Sequence, residues 1–366
     1  MKKIILIFGT RPEAIKMCPL VLELKKSKCF ETKVIVTGQH AELLESVLQI
    51  FKVVPDYNLR IMQPNQSLFQ ITSNILLQIN EILERERPWL VLVHGDTTTT
   101  FSAALSAFYG DIKIGHVEAG LRSGSIKEPF PEEFNRRTVS LISDFDFCPT
   151  QLAFNNLIKE GKNPDNILIT GNTGIDALKY TVSENFESEV TRWVGDSKLI
   201  LLTAHRRENL PYLTEMLRAI RDAVHSFPNF KIVYPAHPNP IVQKAAHEIF
   251  DKDPNAKIIP PVDVVTFHNL ISKSYLILTD SGGIQEEAPH FGVPVLVLRN
   301  VTERPEGIAA GTLKLIGNEP KKIYKEIINI LNDKQLYNQM SKAANPYGDG
   351  NACPRIVKFL EKKSAQ

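Results

Sequence analysis

Thiol chemistry is what this sequence most plainly goes without. It has only four cysteines, Cys18, Cys29, Cys148 and Cys353, scattered and with no Cys-x-x-Cys pair. Neither a disulfide framework nor a thiolate metal site has the spacing it needs, and free thiols in a reducing cytoplasm are expected. No apolar run approaches the ~18–20 residues of a membrane span. The N-terminal KKIILIFG passes straight into GTRPEAIK with no small-residue cleavage pattern, so it does not read as a signal peptide. The formal net charge is only +2. Basic residues are spread out, with no run longer than a pair such as Arg206-Arg207, and nothing marks a nucleic-acid or membrane-surface protein. G-x-G-x-x-G and G-x-x-x-x-G-K-[ST] are also missing after the first strand, where GTRPEA stands instead. Dinucleotide redox chemistry and P-loop phosphoryl transfer thereby lose their sequence basis, and no cofactor or metal is expected.

What is present is a repeated alternation. Short apolar runs occur at IILIFG, KVIVTG, LVLVHG, KIGHVEA, FDFCPT and ILITGN in the first half. In the second half they are LILLTAH, KIVYPAH, KIIPP, YLILTD, PVLVLRN and LKLIG. Helix-length segments lie between them, among them Leu20–Lys26, Leu68–Arg87, Thr99–Tyr109, Leu213–Ser226 and Ile323–Leu331. Continuous apolar strands alternating with helices predict parallel sheets covered on both faces. The chain's 366 residues suit two such domains at roughly 100–200 residues each. The stretch 171–198 has no strong strand and several charges. We therefore expect an α/β protein with two Rossmann-like doubly wound domains, 1–172 and 173–352, and a last helix within 353–366 that packs back on the first. Such domains place chemistry at the carboxyl ends of their strands, here expected to line a common cleft.

Those strand ends are loaded with ionisable groups. The first half offers Arg11, Glu13 and Lys16, then His40, then Asp96, then Glu118, then Glu132 and Arg136. The second offers His205, Arg207 and His237. Each alone has a plain structural explanation: an aspartate after a strand is commonly a helix cap, and His94, His116, His247 and His268 read as core or surface residues. Their collection on one edge is what a structural protein has no need of. In TDSGGIQEEA, a strand runs through Ser281-Gly282-Gly283 into a helix. That is a phosphate cradle, because glycine lets backbone N–H groups approach an anion at a helix start. One turn further on, Glu287, or else Glu286, can accept ribose hydroxyls; the plainer reading is that both acids complement the helix dipole.

Taken in order, FGTRPEAIKM, TGQH, VHGDTTTT, GHVEAGLRSG, PEEFNRR, TAHRREN, TDSGGIQEEAP and TERPE resemble the non-hydrolysing UDP-N-acetylglucosamine 2-epimerases. The resemblance implies the GT-B fold. It also implies interconversion of UDP-N-acetylglucosamine and UDP-N-acetylmannosamine without a redox cofactor, by elimination of UDP to a 2-acetamidoglucal and re-addition. By motif, Asp96, Glu118 and Glu132 are the acid/base candidates, with their assignment to the two faces of C2 open, and His205 is the catalytic-site histidine near the phosphates. Arg11, Lys16, His40, Arg136, Arg207 and His237 correspond to groups around the sugar and diphosphate. Ser281, Gly282 and Gly283 hold phosphate and Glu287 the ribose. Phe267 packs on uracil, Val262 offers backbone to its edge, and Arg304 is a further ligand contact. A homodimer is the family's usual state. Two departures stand out: Glu42 and Asn65 replace the Gln and the basic residue of members with a second substrate site, and Leu210-Pro211 replaces the usual Leu-Gly.

Two other functions share much of this pattern. A GT-B glycosyltransferase would use the same cradle but move the sugar to an acceptor, and the carboxylates of the first half would crowd that acceptor. A non-catalytic nucleotide-sugar sensor would not need Asp96, Glu118 and Glu132 together, and all three are present.

Overall fold

A computed structural model describes residues 1–38, 41–61 and 66–366, and only the backbone of 41–43. His40 and Asn65 lie outside the described residues, as does the side chain of Glu42.

Every apolar run quoted above forms a strand. In the first half these are β1 (Lys2–Phe8), β2 (Phe30–Val36), β4 (Leu90–His94), β5 (Lys113–Val117), β6 (Phe145–Cys148) and β7 (Ile167–Ile169), joined by a two-residue strand, β3 (Tyr57–Asn58). They make a 7-stranded sheet in the order β3-β2-β1-β4-β5-β6-β7. In the second half β8 (Lys198–Thr203), β9 (Phe230–Pro235), β10 (Ala256–Ile259), β11 (Ser274–Thr279), β12 (Val295–Val297) and β13 (Leu313–Leu315) make a 6-stranded sheet in the order β10-β9-β8-β11-β12-β13. All pairings in both sheets are parallel.

Strand periodicity explains why the runs are apolar throughout. Ile4, Ile5, Leu6, Ile7 and Phe8 are all fully buried, so β1 meets helices on both faces. In β8, Ile200 and Leu202 join the core under the helix Leu213–His225. Leu199 and Leu201 point the other way, into the core that holds Leu270, Ile271 and Ile284.

The chain divides into two units, Met1–Tyr180 with Tyr347–Gln366, and Thr181–Pro346. The helix Thr173–Thr181, which the sequence reading puts at the start of the second domain, packs within the first through Tyr180. Ile175, Ala177 and Leu178 are buried. Buried Asp176 accepts the backbone N–H groups of Ala352 and Cys353 at 3.1 and 2.9 Å, which caps the final helix Ala352–Ser364. That helix sets Phe359 edge-on against Phe145 and Phe147 of β6.

Both sheets reverse strand order beside their first strand, at β1/β4 and at β8/β11. Loops after these strands border the crevice where open α/β sheets bind ligands. At the first of them backbone must come close. A Cβ on Gly9 would sit 2.0 Å from Thr37 Oγ1 and 2.5 Å from Thr99 Oγ1. These two hydroxyls bond each other at 3.0 Å. Gly9→Ala is therefore expected to lower unfolding free energy by about 1–3 kcal/mol, the usual cost of overpacking, measured by urea denaturation; unchanged stability would contradict this packing.

Candidate functional site

At the first switch point, Thr10 caps the helix Arg11–Leu24 and Glu13 completes a capping box. The helix begins well before the segment Leu20–Lys26 that the sequence marks as helical. Pro12 sits in the first turn, where its missing N–H costs nothing. Glu13 is buried, and burial pushes its carboxyl up. It accepts from Gly9 N (3.0 Å), Thr10 N (2.7 Å), Thr97 Oγ1 (2.7 Å) and Thr100 Oγ1 (3.0 Å). One side chain thus ties the loop after β1 to the loop after β4, which carries Asp96.

Helix periodicity then aims Lys16 at Glu118, with which it forms an ion pair. Asn172 Nδ2 donates to the same carboxylate oxygen at 3.0 Å. Glu118 has φ +62°, a left-handed conformation rare for a residue with a side chain. Such strain costs about 1–3 kcal/mol and gathers at functional sites. His94 Nε2, buried and without a hydrogen bond, lies 3.7 Å from Glu118 Oε2. Burial pushes its pKa down to about 4, so the ring is neutral.

Arg136 grips Asp96 through two guanidinium nitrogens, one at 3.1 Å, and Asn135 Nδ2 donates to the Asp96 carbonyl at 2.8 Å. Arg136 also meets buried Glu133 at 3.2 Å. Glu132 opens the same helix one turn earlier, and its Oε2 is buried with no hydrogen bond. The fold therefore brings Lys16 to Glu118 and Arg136 to Asp96. Arg11 begins its helix at the rim of the loop, half-buried.

At the second switch point the organising residue is Asp280, fully buried at the end of β11. Its Oδ2 accepts His205 N (2.9 Å), Arg206 N (2.8 Å) and Asn209 Nδ2 (3.1 Å). Arg206 Nε also donates to the Asp280 carbonyl at 3.2 Å. Of the paired arginines, Arg206 is built into the loop and Arg207 is exposed. His205 stacks on His237 with ring centroids 5.2 Å apart. His237 Nδ1 accepts from Asn239 N at 3.1 Å. The sequence reading counts Glu13 only as a strand-end ionisable group and does not single out Asp280, whose place at a strand end carries no local sign that it accepts backbone N–H groups. For Glu13 the Thr-x-x-Glu spacing was such a sign.

Burial lowers the His205 pKa, opposed by the Asp280 charge and reinforced by His237 and Arg206. An NMR titration should place the His205 midpoint below the ordinary histidine value of about 6.5. Asp280→Asn, which keeps an acceptor oxygen but removes the charge favouring imidazolium, should move it lower still; an upward shift would contradict the assignment.

Ser281 starts the helix Gly282–Glu287 without a side-chain cap, so the first N–H groups depend on some other acceptor. A Cβ on Gly282 would meet the Arg304 guanidinium at 3.4 Å, which places that cation beside the turn. Arg304 Nε also donates to buried Glu286 at 2.8 Å. Glu287 is more open and lies 3.6 Å from His268 Nε2, whose Nδ1 pairs with Thr181 Oγ1 at 2.7 Å. Phe267 and Val262 are partly buried against the core of this unit. Among the described residues no group of His, Cys, Asp or Glu has metal-site geometry, and no helix is long and apolar enough to cross a membrane.

Two doubly wound parallel sheets, each with ionisable groups at its switch point, define the GT-B class of α/β proteins. Comparison with known proteins narrows this. The family model described as UDP-N-acetylglucosamine 2-epimerase matches residues 22–361. The UDP-N-acetylglucosamine 2-epimerase of Bacillus subtilis (strain 168) is 53% identical over 359 residues, 98% of this chain and 94% of the relative. The structure of S. aureus MnaA with UDP has a TM-score of 0.91 at 50% identity, covering 100% of this chain and 97% of that one. The Neisseria meningitidis UDP-GlcNAc 2-epimerase bound to UDP-GlcNAc has a TM-score of 0.89 at 45% identity, covering 98% and 100%. The chain belongs to the UDP-N-acetylglucosamine 2-epimerase family.

Proposed function

We infer that this chain interconverts UDP-N-acetylglucosamine and UDP-N-acetylmannosamine. The observation that carries the activity is the match to epimerases over 98% of the chain; the geometry supports a division of labour. Asp96 and Glu118 each sit against a cation, which fixes the direction of the carboxylate. Glu132 holds a buried oxygen without a hydrogen bond from the protein. We assign these three to proton transfer at C2. One removes the C2 proton while the C1–O bond breaks and its electron pair leaves with UDP. A C1=C2 double bond forms, giving the 2-acetamidoglucal. Return of UDP to C1, with a proton delivered to the opposite face of C2, completes inversion.

The leaving diphosphate needs donors that are in place before charge develops. The turn Ser281-Gly282-Gly283, Arg304 and the neutral His205 supply them. Arg11, Arg207 and His237 add polar contacts around the sugar and diphosphate, as does His40 by motif. Glu287 takes the ribose, because Glu286 is committed to Arg304. The partly exposed ring of Phe267 packs on uracil, and the backbone of Val262 meets its edge.

Cytoplasmic residence is supported by four unpaired cysteines. A homodimer is supported by exposed Phe108, Tyr109, Phe134 and Leu141 on two helices of the first unit that pack together. The test of function is incubation with UDP-N-acetylglucosamine in deuterated water. Deuterium at C2 of both sugars, with no acceptor present, is expected. Sugar transfer to a glycan without exchange would favour a glycosyltransferase, and binding without either reaction a sensor.

A further inference from the structure

His116 is a fully buried histidine that the chemistry above does not use. It lies inside β5, and its Nε2 is 2.7 Å from the carbonyl oxygen of Gly95. A carbonyl only accepts, so Nε2 carries the ring proton and the tautomer is fixed. The other nitrogen, Nδ1, is buried without a hydrogen bond, 3.9 Å from Asp146 Oδ1. Asp146 is in turn held by Ser143 Oγ at 2.7 Å and by Lys162 Nζ at 3.0 Å.

What the ring holds is the peptide just before Asp96. Gly95 has φ +67°, a turn that only glycine makes readily. Its N–H goes to Val117 O at 2.8 Å, and its carbonyl goes to His116. The next carbonyl, that of Asp96, accepts from Asn135 at 2.8 Å. Three backbone groups of Gly95 and Asp96 are therefore pinned, two by side chains from other elements. A backbone turn with no side chain of its own at Gly95 has little else to fix its rotation.

We propose that His116 is a positioning residue for proton transfer: its Nε2–H sets the Gly95–Asp96 peptide, and through it the direction of the Asp96 carboxylate. The ring does this as a neutral donor: its pKa is pushed down to about 3, chiefly by burial, opposed by the Gly95 hydrogen bond and reinforced by the charges of Arg122, His94 and Lys162. The proposal rests on the reading of Asp96 as an acid/base group.

The test compares three single variants of the full chain: His116→Gln, His116→Met and Asp96→Asn. A glutamine amide at this position keeps a donor near the place of Nε2. Methionine fills similar space and has none. An error of about 1 Å in a reacting group costs as much as 10²-fold. His116→Met should therefore lower kcat by roughly 10–100-fold, leave UDP affinity unchanged and raise the isotope effect of deuterium at C2 on kcat. His116→Gln should restore most of kcat and the smaller isotope effect. Wild-type kcat in both His116 variants overturns the proposal, and so does equal loss in both. If His116→Met does not fold, His116→Gln decides alone: a loss comparable to that of Asp96→Asn is the contradicting result. Wild-type turnover in Asp96→Asn would remove the underlying reading instead, and it is seen in a separate protein.

Discussion

Asp96→Asn is expected to lower turnover by roughly 10²–10⁴-fold, the typical contribution of one acid/base group, while UDP affinity stays close to that of the unaltered protein. The reason is local. Asn is isosteric, so the loop after β4 keeps its anchors, Asn135 on the Asp96 carbonyl and His116 on Gly95. The carboxylate that Arg136 holds is lost, and an amide cannot take up a proton from carbon. Glu118→Gln should behave alike, with the added loss of the Lys16 ion pair. Isothermal titration with UDP beside a turnover assay separates the two quantities. A loss of UDP affinity matching the loss of turnover would show that Asp96 binds rather than transfers protons.

Gly283→Val should do the reverse, abolishing most UDP binding with little cost to folding. A Cβ there meets nothing nearer than Glu287 Oε1 at 3.8 Å, an ordinary contact. The first carbon is tolerated by the protein, and the branches beyond it would occupy the space a diphosphate needs. Losing a single charge-assisted hydrogen bond costs about 1.5–3 kcal/mol, a factor of roughly 10–150 in Kd. Calorimetric titration with UDP reads the affinity and thermal unfolding reads the fold. Unchanged affinity in a well-folded variant would remove the phosphate cradle from the account.

Much of this was legible because the chemistry follows the strands. Apolar runs such as LILLT and YLILT have no face that tolerates water, and the residue after each run falls at a sheet edge wherever the helices lie. That logic puts Asp96, Glu118 and His205 just beyond strand ends without a structure. It does not find β3, whose two residues, Tyr57 and Asn58, are too few to show a period. Nor does it show which carboxylates face inward. In the sequence Glu13 is one more ionisable group at a strand end and Asp280 merely closes an apolar run, but the structure makes them the acceptors that bind loops together. His116 and His94 read as plain core residues because nothing local reveals what a buried ring faces across the sheet. The units divide after Tyr180 and not at the expected 172/173, and nothing local in the sequence shows that Asp176 makes its bonds to the last helix, far away along the chain.

The most direct measurement uses UDP-N-acetylglucosamine labelled with oxygen-18 in the bridge between C1 and the β-phosphorus. If UDP leaves C1 and returns, the label must spread into the non-bridging β-phosphate oxygens of recovered substrate, visible as isotope-shifted phosphorus NMR signals. Retention of all label in the bridge, alongside deuterium wash-in at C2 from the solvent, would contradict elimination and point to inversion with the glycosidic bond intact.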